Sequence, residues 1–489
     1  MQQTDAQTLK LSNSDERRVD MLICGGGISG LSLAAWLRRG GREVAVLDKN
    51  ARPGGVIGTV RRDGFIFERG PNTILDKYES FEALIAWAGL ESEIIRVPLR
   101  TQKRHVWLGG RLHEVPTSPL AFLKSPLLPR ADKLALLKEP FVPPVQGDET
   151  VAAFVRRRLG AAWLRNLVTP MVSGIWAGDP ERMSIAHSFP IMKKMERAGG
   201  SLVWGAFKHM RKMARERRAG GGARRRVKNL VSFRDGLDRL PAALAEKLGG
   251  RYQSATRILE IEPNEGGGGF RVHAECGGEA QFWIARELVI AAEADQAARW
   301  LEGFDLDLAL TLRSFPYNRL AVVALGLKAN EARLPEGFGF LAPRGEGVRM
   351  LGAIVNSNFL PGRAPAGCAA LTIFIGGDLD PEAAELSDEQ LTETVRRDLK
   401  TTIGWSGPIQ GLWIERWPRA IPQYDMGHAA RLTAIETAER RWPGLHLVGN
   451  WRGGVSIGDR VETTRALAQR MMNLKNLAAG AGEQTRGQR

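Results

Sequence analysis

Residues 19–30 read Val-Asp-Met-Leu-Ile-Cys-Gly-Gly-Gly-Ile-Ser-Gly, followed by Val44-Ala45-Val46-Leu47-Asp48 and Arg52-Pro53-Gly54-Gly55. Val19–Cys24 is an apolar run of strand length, and Gly25, Gly27 and Gly30 fit the G-x-G-x-x-G loop, with Gly26, Ile28 and Ser29 between them. Those glycines permit a tight turn, close backbone approach to a diphosphate, and close packing of the next helix on the sheet. Leu31–Arg39 is apolar at helical spacing, so its N-terminus would direct amide dipoles at the phosphates. Asp48 ends the second strand eighteen residues after Gly30, where an acid can accept hydrogen bonds from a ribose diol. The loop alone would be weak evidence. With strand, helix, second strand and terminal acid in register, the segment reads as a dinucleotide site.

At 489 residues the chain should hold two or three domains. Apolar content of 43% with 25% charged residues is ordinary for a globular protein. No apolar run reaches the roughly 18 residues of a spanning helix. Residues 1–18 are polar and mixed in charge, which reads as a disordered leader and not a signal peptide. Cys24, Cys276 and Cys368 are far apart, in no metal spacing and with no disulfide framework, and suggest a reducing compartment. The net charge of +15 invites an anionic partner. Much of the excess lies between Lys208 and Lys228, with ten Lys or Arg against one acid, Glu216. No stacking aromatics interleave with those charges, so nucleic acid is not expected. The run reads as a solvated loop around Gly220-Gly221-Gly222, or as a contact with anionic lipid heads.

The β-α-β unit is followed by a strand, Phe65–Glu68, entering a Gly-Pro turn, and then by mainly helical text from about 80 to 215. An amphipathic helix is expected within Gly236–Leu248. Strands are expected at Thr256–Glu262, Phe270–Ala274, Gln281–Ile284 and Leu288–Ala291, then a β-rich block over 318–377. The chain closes with a strand, Leu445–Gly449, a glycine turn, and a helix from about Asp459. The fold class is therefore α/β with α+β insertions. It comprises a discontinuous Rossmann-like domain (19–95, 230–305 and 412–480), a helical domain (96–229) and a β-rich domain with a mixed sheet (306–411).

Arg52-Pro53-Gly54-Gly55 after the acid marks the FAD-dependent oxidase and desaturase superfamily, its glycines letting the backbone pass close to the flavin side. Further motifs occur in order: Glu68-Arg69-Gly70-Pro71-Asn72-Thr73, Lys103-Arg104-His105-Val106, and Pro170-Met171-Val172-Ser173-Gly174-Ile175-Trp176-Ala177-Gly178-Asp179-Pro180. Then come Gly337-Phe338-Gly339-Phe340-Leu341-Ala342-Pro343, Leu351-Gly352-Ala353-Ile354, Phe374-Ile375-Gly376-Gly377, Trp417, and Gly449-Asn450-Trp451-Arg452-Gly453-Gly454-Val455-Ser456-Ile457. Over about 19–477 the chain resembles the oxygen-dependent protoporphyrinogen oxidases. The resemblance implies FAD contacts at Gly25–Gly30, Asp48, Lys49, Val56, Gly70, Pro71, Asn72, Thr73, Ile258, Trp417, Val455, Ser456 and Ile457. It implies substrate contacts at Asn72, Arg104, Leu341, Ile354 and Phe374. Asn72 could instead hold the flavin-facing backbone. Asp48 departs from the family's usual Glu, and Ala291-Ala292-Glu293 from its usual run near the adenine. The basic loop at about 215–226 is idiosyncratic, and the resemblance says little about it.

The implied activity is six-electron oxidation of a porphyrinogen, with flavin N5 as hydride acceptor and O2 as final acceptor, giving three H2O2. Porphyrinogens are large apolar macrocycles bearing propionates. Leu341, Ile354 and Phe374 suit the ring, and Arg104 can pair bidentately with a carboxylate. The flavin brings the redox chemistry, and no triad, metal cluster or paired-carboxylate motif implies another mechanism. A helix starting near Asp459 would present its N-terminus to the flavin N1–C2 edge. A coproporphyrinogen III oxidase is the nearest alternative; a non-catalytic flavin-fold binding protein is a remote one. The expected location is the cytoplasm, with peripheral attachment to the inner face of the cell membrane through the helical domain. That attachment is motivated by exposed-looking Trp176 and Trp204 and by the basic run. A homodimer and hand-off of product to ferrochelatase complete the expectations.

Overall fold

The strand that opens the chain is longer than its apolar run. The computed structural model describes residues 16–99, 102–218, 229–264 and 268–486, and in it the strand spans Glu16–Cys24. Residues 16–18 of the expected leader are therefore sheet, since Glu16–Arg18 pair with Phe282–Ile284. The rest of that leader's described part is nil, and residues 1–15 lie outside the described residues, as do 219–228 of the basic loop.

Met21–Cys24 are completely buried because both faces of this part of the sheet, where the pairing is parallel, are covered. Alternation divides them. Met21 and Ile23 meet the first helix, Ile28–Arg39, and the C-terminal helix, Ile457–Arg486; Leu22 and Cys24 enter the core on the other face. The order across the sheet is Tyr252–Gln253, Val44–Leu47, Glu16–Cys24, Glu279–Ile290, Phe270–Cys276, Thr256–Pro263. The two segments expected at 281–284 and 288–291 are one strand, Glu279–Ile290. Its first half pairs antiparallel with Phe270–Cys276, and its second half pairs parallel with Leu445–Leu447. That second pairing joins the end of the chain to its beginning.

A second sheet of seven strands runs Gly411–Trp417, Leu320–Lys328, Cys368–Gly376, Gly352–Val355, Gly339–Leu341, Arg104–Leu108, Arg111–Glu114. The helix Asp388–Ile403 covers one of its faces. Strand pairing moves three of the expected domain boundaries. Residues 104–114 belong to this sheet and not to the helical domain, because Arg104–Val106 pair in parallel with Gly339–Leu341. Residues 412–417 likewise leave the dinucleotide domain, pairing with Leu320–Leu325. The helix Leu306–Arg313, assigned by sequence to the β-rich domain, packs into the dinucleotide domain through Leu308, Ala309 and Leu312.

The region from 80 to 215 also contains the strand Ile94–Pro98, which pairs with Asn229–Phe233 and, through it, joins Ile74–Asp76. The remainder is helical from Pro119 to Arg218 apart from loops. An ionic cluster ties this part together. Arg158 sits 2.9 Å from Glu139 and 2.7 Å from Glu196, and Lys193 2.7 Å from Glu196, all four buried. A second buried pair, Arg363 Nη1 and Glu68 Oε1 at 3.0 Å, joins the β-rich domain to the segment preceding Arg69. Trp176 is buried, contrary to its expected exposure, because its helix turns Val172, Ser173 and Trp176 inward. The ring centroid lies 5.0 Å from that of Tyr424. Trp204 is exposed, as expected.

Candidate functional site: a dinucleotide cradle beside an apolar sheet face

A cavity of about 760 Å3 opens where the strands Glu16–Cys24, Val44–Leu47, Glu279–Ile290 and Leu445–Leu447 end. Its wall includes Gly25, Gly26, Gly27, Ile28, Ser29, Asp48, Lys49, Gly54, Gly55, Val56, Pro71, Ile258, Trp417, Val455 and Ile457. These residues, singled out from sequence, come together at one site. Gly30, Gly70, Asn72, Thr73 and Ser456 are not among the residues of that wall.

The cradle depends on missing side chains. A Cβ on Gly30 would fall inside the carbonyl oxygen of Gly25, and one on Gly26 against Asp48 Oδ2, whereas one on Gly27 would meet nothing. The loop thus has to be glycine where it backs onto protein, and it leaves open backbone toward the cavity. Gly54 N donates to Gly26 O at 2.8 Å, which fastens the Arg52–Gly55 segment to the loop. Arg52 donates to the carbonyls of Ile57 at 2.7 Å and Gly55 at 3.0 Å, so its guanidinium shapes that turn.

Asp48 is buried. Its Oδ1 accepts from the Asn50 backbone and side chain, both at 3.1 Å, while its Oδ2 is buried without a hydrogen-bond partner. Burial pushes its pKa up, with the Asn50 hydrogen bonds acting in the opposite sense. An acid with one oriented and one orphaned oxygen at this strand end fits a ribose diol, the test that the residues present suit an adenine dinucleotide.

On the flavin-facing side, Trp417 Nε1 donates to Arg69 O at 2.9 Å, and Arg69 forks onto Glu415 at 2.6 and 2.9 Å. These bonds hold the Arg69–Pro71 backbone along the cavity. Gly70 is required there, since a Cβ would lie 2.9 Å from Val56 O. Asn72 backs the same segment. Its Nδ2 donates to Gly70 O at 3.1 Å, and its Oδ1 accepts from Asn356 Nδ2 at 2.7 Å and lies 2.8 Å from Thr372 Oγ1. Asn72 is thus tied to the Gly70 backbone and to the second sheet at once. The C-terminal helix opens at Ile457, two residues before the expected Asp459. Ser456 Oγ accepts from Asp459 N at 3.2 Å, a capping position at the start of that helix.

The register of the second sheet gathers the remaining residues. Arg104, Gly339, Ile354 and Thr372 lie in one row across it, and Leu341, Gly352, Phe374 and Val322 in the next. Arg104, Leu341, Ile354 and Phe374 therefore share one face, opposite the face covered by Asp388–Ile403. Leu341 packs against Gly174 of the helical region. Phe374 and Trp417 pack on the same small cluster, so the apolar face continues into the cavity wall. Arg104 makes no ion pair among the described residues, and its guanidinium lies 6.0 Å from the Phe338 ring. Desolvation draws its pKa below the ordinary range.

Sequence reasoning did not single out Gln296, Trp300 or Arg460, which also line the cavity beside Glu293 and Asn450. They sit on chain segments that reach the site only through the long-range strand pairing. Trp300 Nε1 donates to Ile258 O at 3.1 Å, fixing the peptide expected beside the adenine. Trp451 Nε1 bonds Ala292 O at 3.1 Å, and Tyr424 OH bonds Asn450 O at 2.6 Å while accepting from Gly454 N. The two closing turns of the cradle are held by these aromatic residues.

A nucleotide cradle of this geometry, joined to a mixed sheet, defines a flavin-dependent oxidoreductase. The model of the family described as flavin-containing amine oxidoreductases matches residues 28–472, and the chain belongs to that family. It is 31% identical over 467 residues to the chloroplastic protoporphyrinogen oxidase of Nicotiana tabacum, with 91% of this chain and 84% of that protein covered. It is 26% identical over 466 residues to the coproporphyrinogen III oxidase of Bacillus subtilis (strain 168), with 91% and 96% covered. A crystal structure of a candidate protoporphyrinogen oxidase from Exiguobacterium sp. 255-15 shares the fold, with a TM-score of 0.76 at 24% identity, over 93% of this chain and 98% of that one. The protein is an FAD-dependent enzyme.

Proposed function

We propose that the protein oxidises protoporphyrinogen IX to protoporphyrin IX, the penultimate step of haem biosynthesis, with O2 as final acceptor and three H2O2 formed. The observation that carries this reading is the apolar sheet face, with Arg104 at one end and Phe374 and Trp417 at the other, running into the FAD cavity. FAD, when bound, takes electrons from the substrate two at a time and passes them to O2. The chain's own part is binding, orientation and exclusion of water. Leu341, Ile354 and Phe374 offer the macrocycle a flat apolar wall, and Arg104 offers a propionate a paired donor. Asn72, Arg69 and Trp417 keep the backbone between wall and cavity in place. Cofactor contacts are proposed for the lining residues named above, with Gly30, Gly70, Asn72, Thr73 and Ser456 supporting them.

The similarity to the Bacillus subtilis enzyme favours coproporphyrinogen III as a second substrate reading. Both porphyrinogens, offered separately to the purified holoenzyme with O2 uptake and porphyrin fluorescence followed, decide between them. Protoporphyrin should form faster; faster coproporphyrin formation would overturn the first reading.

We also propose peripheral attachment to an anionic membrane face. No described helix is long and apolar enough to cross a membrane. Leu120, Leu123, Leu134, Leu137, Phe141, Val203, Trp204, Phe207 and Met210 are exposed, Phe141 by 85%, and all belong to the helical region. Glu139 accepts from Leu202 N and Val203 N, which packs the turn Glu139–Phe141 against the helix Leu202–Arg218. Arg211 lies 5.5 Å from the Phe207 ring. An apolar patch edged by cations is the composition of an interfacial surface. Co-sedimentation with phosphatidylglycerol vesicles at low salt should be lost in a Phe141→Asp, Trp204→Asp variant. Equal pelleting of variant and wild type would remove the proposal.

A further inference from the structure

Arg460 is a cation that neither the motifs nor the resemblance assigns. It lies at the start of the C-terminal helix, is 2% exposed, and forms part of the cavity wall. Its Nη1 donates to Gly449 O, its Nη2 lies 3.4 Å from Thr463 Oγ1, and its Nε is buried with no hydrogen-bond partner. Among the described residues no carboxylate pairs with it. The adjacent Asp459 is engaged by Lys77 Nζ at 2.8 Å, Tyr78 OH at 2.8 Å and Ser456 Oγ at 2.6 Å. A guanidinium does not discharge at physiological pH, and one removed from water without a counter-ion destabilises the fold that holds it. Its charge calls for an anion from outside the chain.

The position indicates which anion. Ser32 Oγ and Thr464 Oγ1 lie 2.9 Å apart, binding the first helix to the C-terminal helix one turn beyond Arg460. The two helices therefore start side by side, and Arg460 adjoins the first turn of Ile28–Arg39 at the glycine loop. From the other side, Val448 N donates to Ile290 O at 2.9 Å, which sets Gly449 next to Ala291, the residue against which Gly25 packs. Two helix N-termini and an unpaired guanidinium thus converge on the part of the cavity over the glycine loop, where the phosphates of a dinucleotide lie.

We propose that Arg460 binds the FAD diphosphate, its buried guanidinium acting as the fixed counter-charge to the phosphates. Arg52 does not replace it, since that guanidinium is engaged by the Gly55 and Ile57 carbonyls.

The test uses the full chain with FAD removed, in wild type, Arg460→Met and Arg460→Lys. Dissociation constants are measured for FAD by flavin fluorescence and for ADP by calorimetry, ADP carrying the diphosphate without the flavin. Arg460→Met should weaken both at least tenfold, Arg460→Lys should weaken both by less, and the Met apoprotein should melt no lower than the wild-type apoprotein. Unchanged affinities for both ligands would overturn the proposal. So would weakened FAD binding with unchanged ADP binding, which would put the guanidinium at the flavin. A lower apoprotein melting temperature with unchanged ADP affinity would make Arg460 a structural strut and likewise overturn it. If the Met apoprotein does not fold, Arg460→Lys decides by the same ADP measurement, unchanged affinity counting against the proposal. No porphyrinogen enters the assay, so its outcome is independent of the substrate reading.

Discussion

The cofactor cradle and the sheet face beside it are built by opposite means. The cradle is mostly backbone: its glycines are fixed by what lies behind them, and a single added carbon at Gly30 collides with Gly25. The sheet face is made of side chains, carried on strands that pair in parallel at Arg104 and antiparallel beyond it, with Gly339 and Gly352 the positions in its rows where a Cβ would strike backbone. Substitutions in the cradle should therefore act as all or none on the cofactor, and those on the sheet face as graded changes in substrate handling.

Gly30→Val gives the largest expected effect. With no room for its side chain, the loop loses its shape at a cost above about 4 kcal/mol, and the purified protein should lack the flavin absorption band. A flavin-replete Gly30→Val would break the contrast. Arg104→Ala should keep wild-type flavin content while kcat/KM for the porphyrinogen falls by about 1.5–3 kcal/mol, the worth of a charged hydrogen-bonded contact. Loss of flavin from this variant would mean that Arg104 supports the cradle.

Acid should separate the two regions through Glu287. Burial raises this carboxyl, but His446 at 3.7 Å and the Arg42 hydrogen bond at 2.6 Å outweigh it and hold the pKa at about 2, against 4.5 for a free glutamate. Between those values the unfolded chain binds more protons than the folded one, so stability falls as pH falls from 4.5 toward 2. The difference between wild type and Glu287→Gln in melting temperature, followed through that window, should correspond to a loss on the order of 2 kcal/mol. A parallel acid limb in the variant would show that the Arg42 and His446 contacts carry no such stabilisation. The smallest effect is expected at Phe374→Leu, which keeps an apolar wall but loses ring stacking, about 0.5–1.5 kcal/mol in KM.

The same division governs how much was legible in the sequence. Gly25, Gly27, Gly30 and Asp48 could be read directly, because a backbone cradle leaves glycine and a terminal acid at set spacing. Trp417, Ile258 and the sheet-face residues entered only through resemblance, since an apolar residue on a strand looks the same whether it faces a ligand or a core. Arg104 was placed in the helical domain because nothing local announces a parallel pairing with Gly339–Leu341, more than two hundred residues away. Trp176 read as exposed because an aromatic beside Gly174 and Ile175 gives no sign of Tyr424 packing over it. Arg460 gives no local sign for a related reason: its burial depends on Thr464 meeting Ser32 and on its own bond to Gly449.

The strand Glu279–Ile290 has a consequence for biosynthesis. Until Leu445–Leu447 have left the ribosome, Leu288–Ile290 present an open parallel edge, and the turn carrying Gly449, Asn450 and Val455 does not exist. A nascent chain of four hundred residues can hold the glycine loop and its acid yet lack one wall of the cavity. Flavin capture must then follow synthesis of nearly the whole polypeptide, with a sticky strand edge waiting for its last partner.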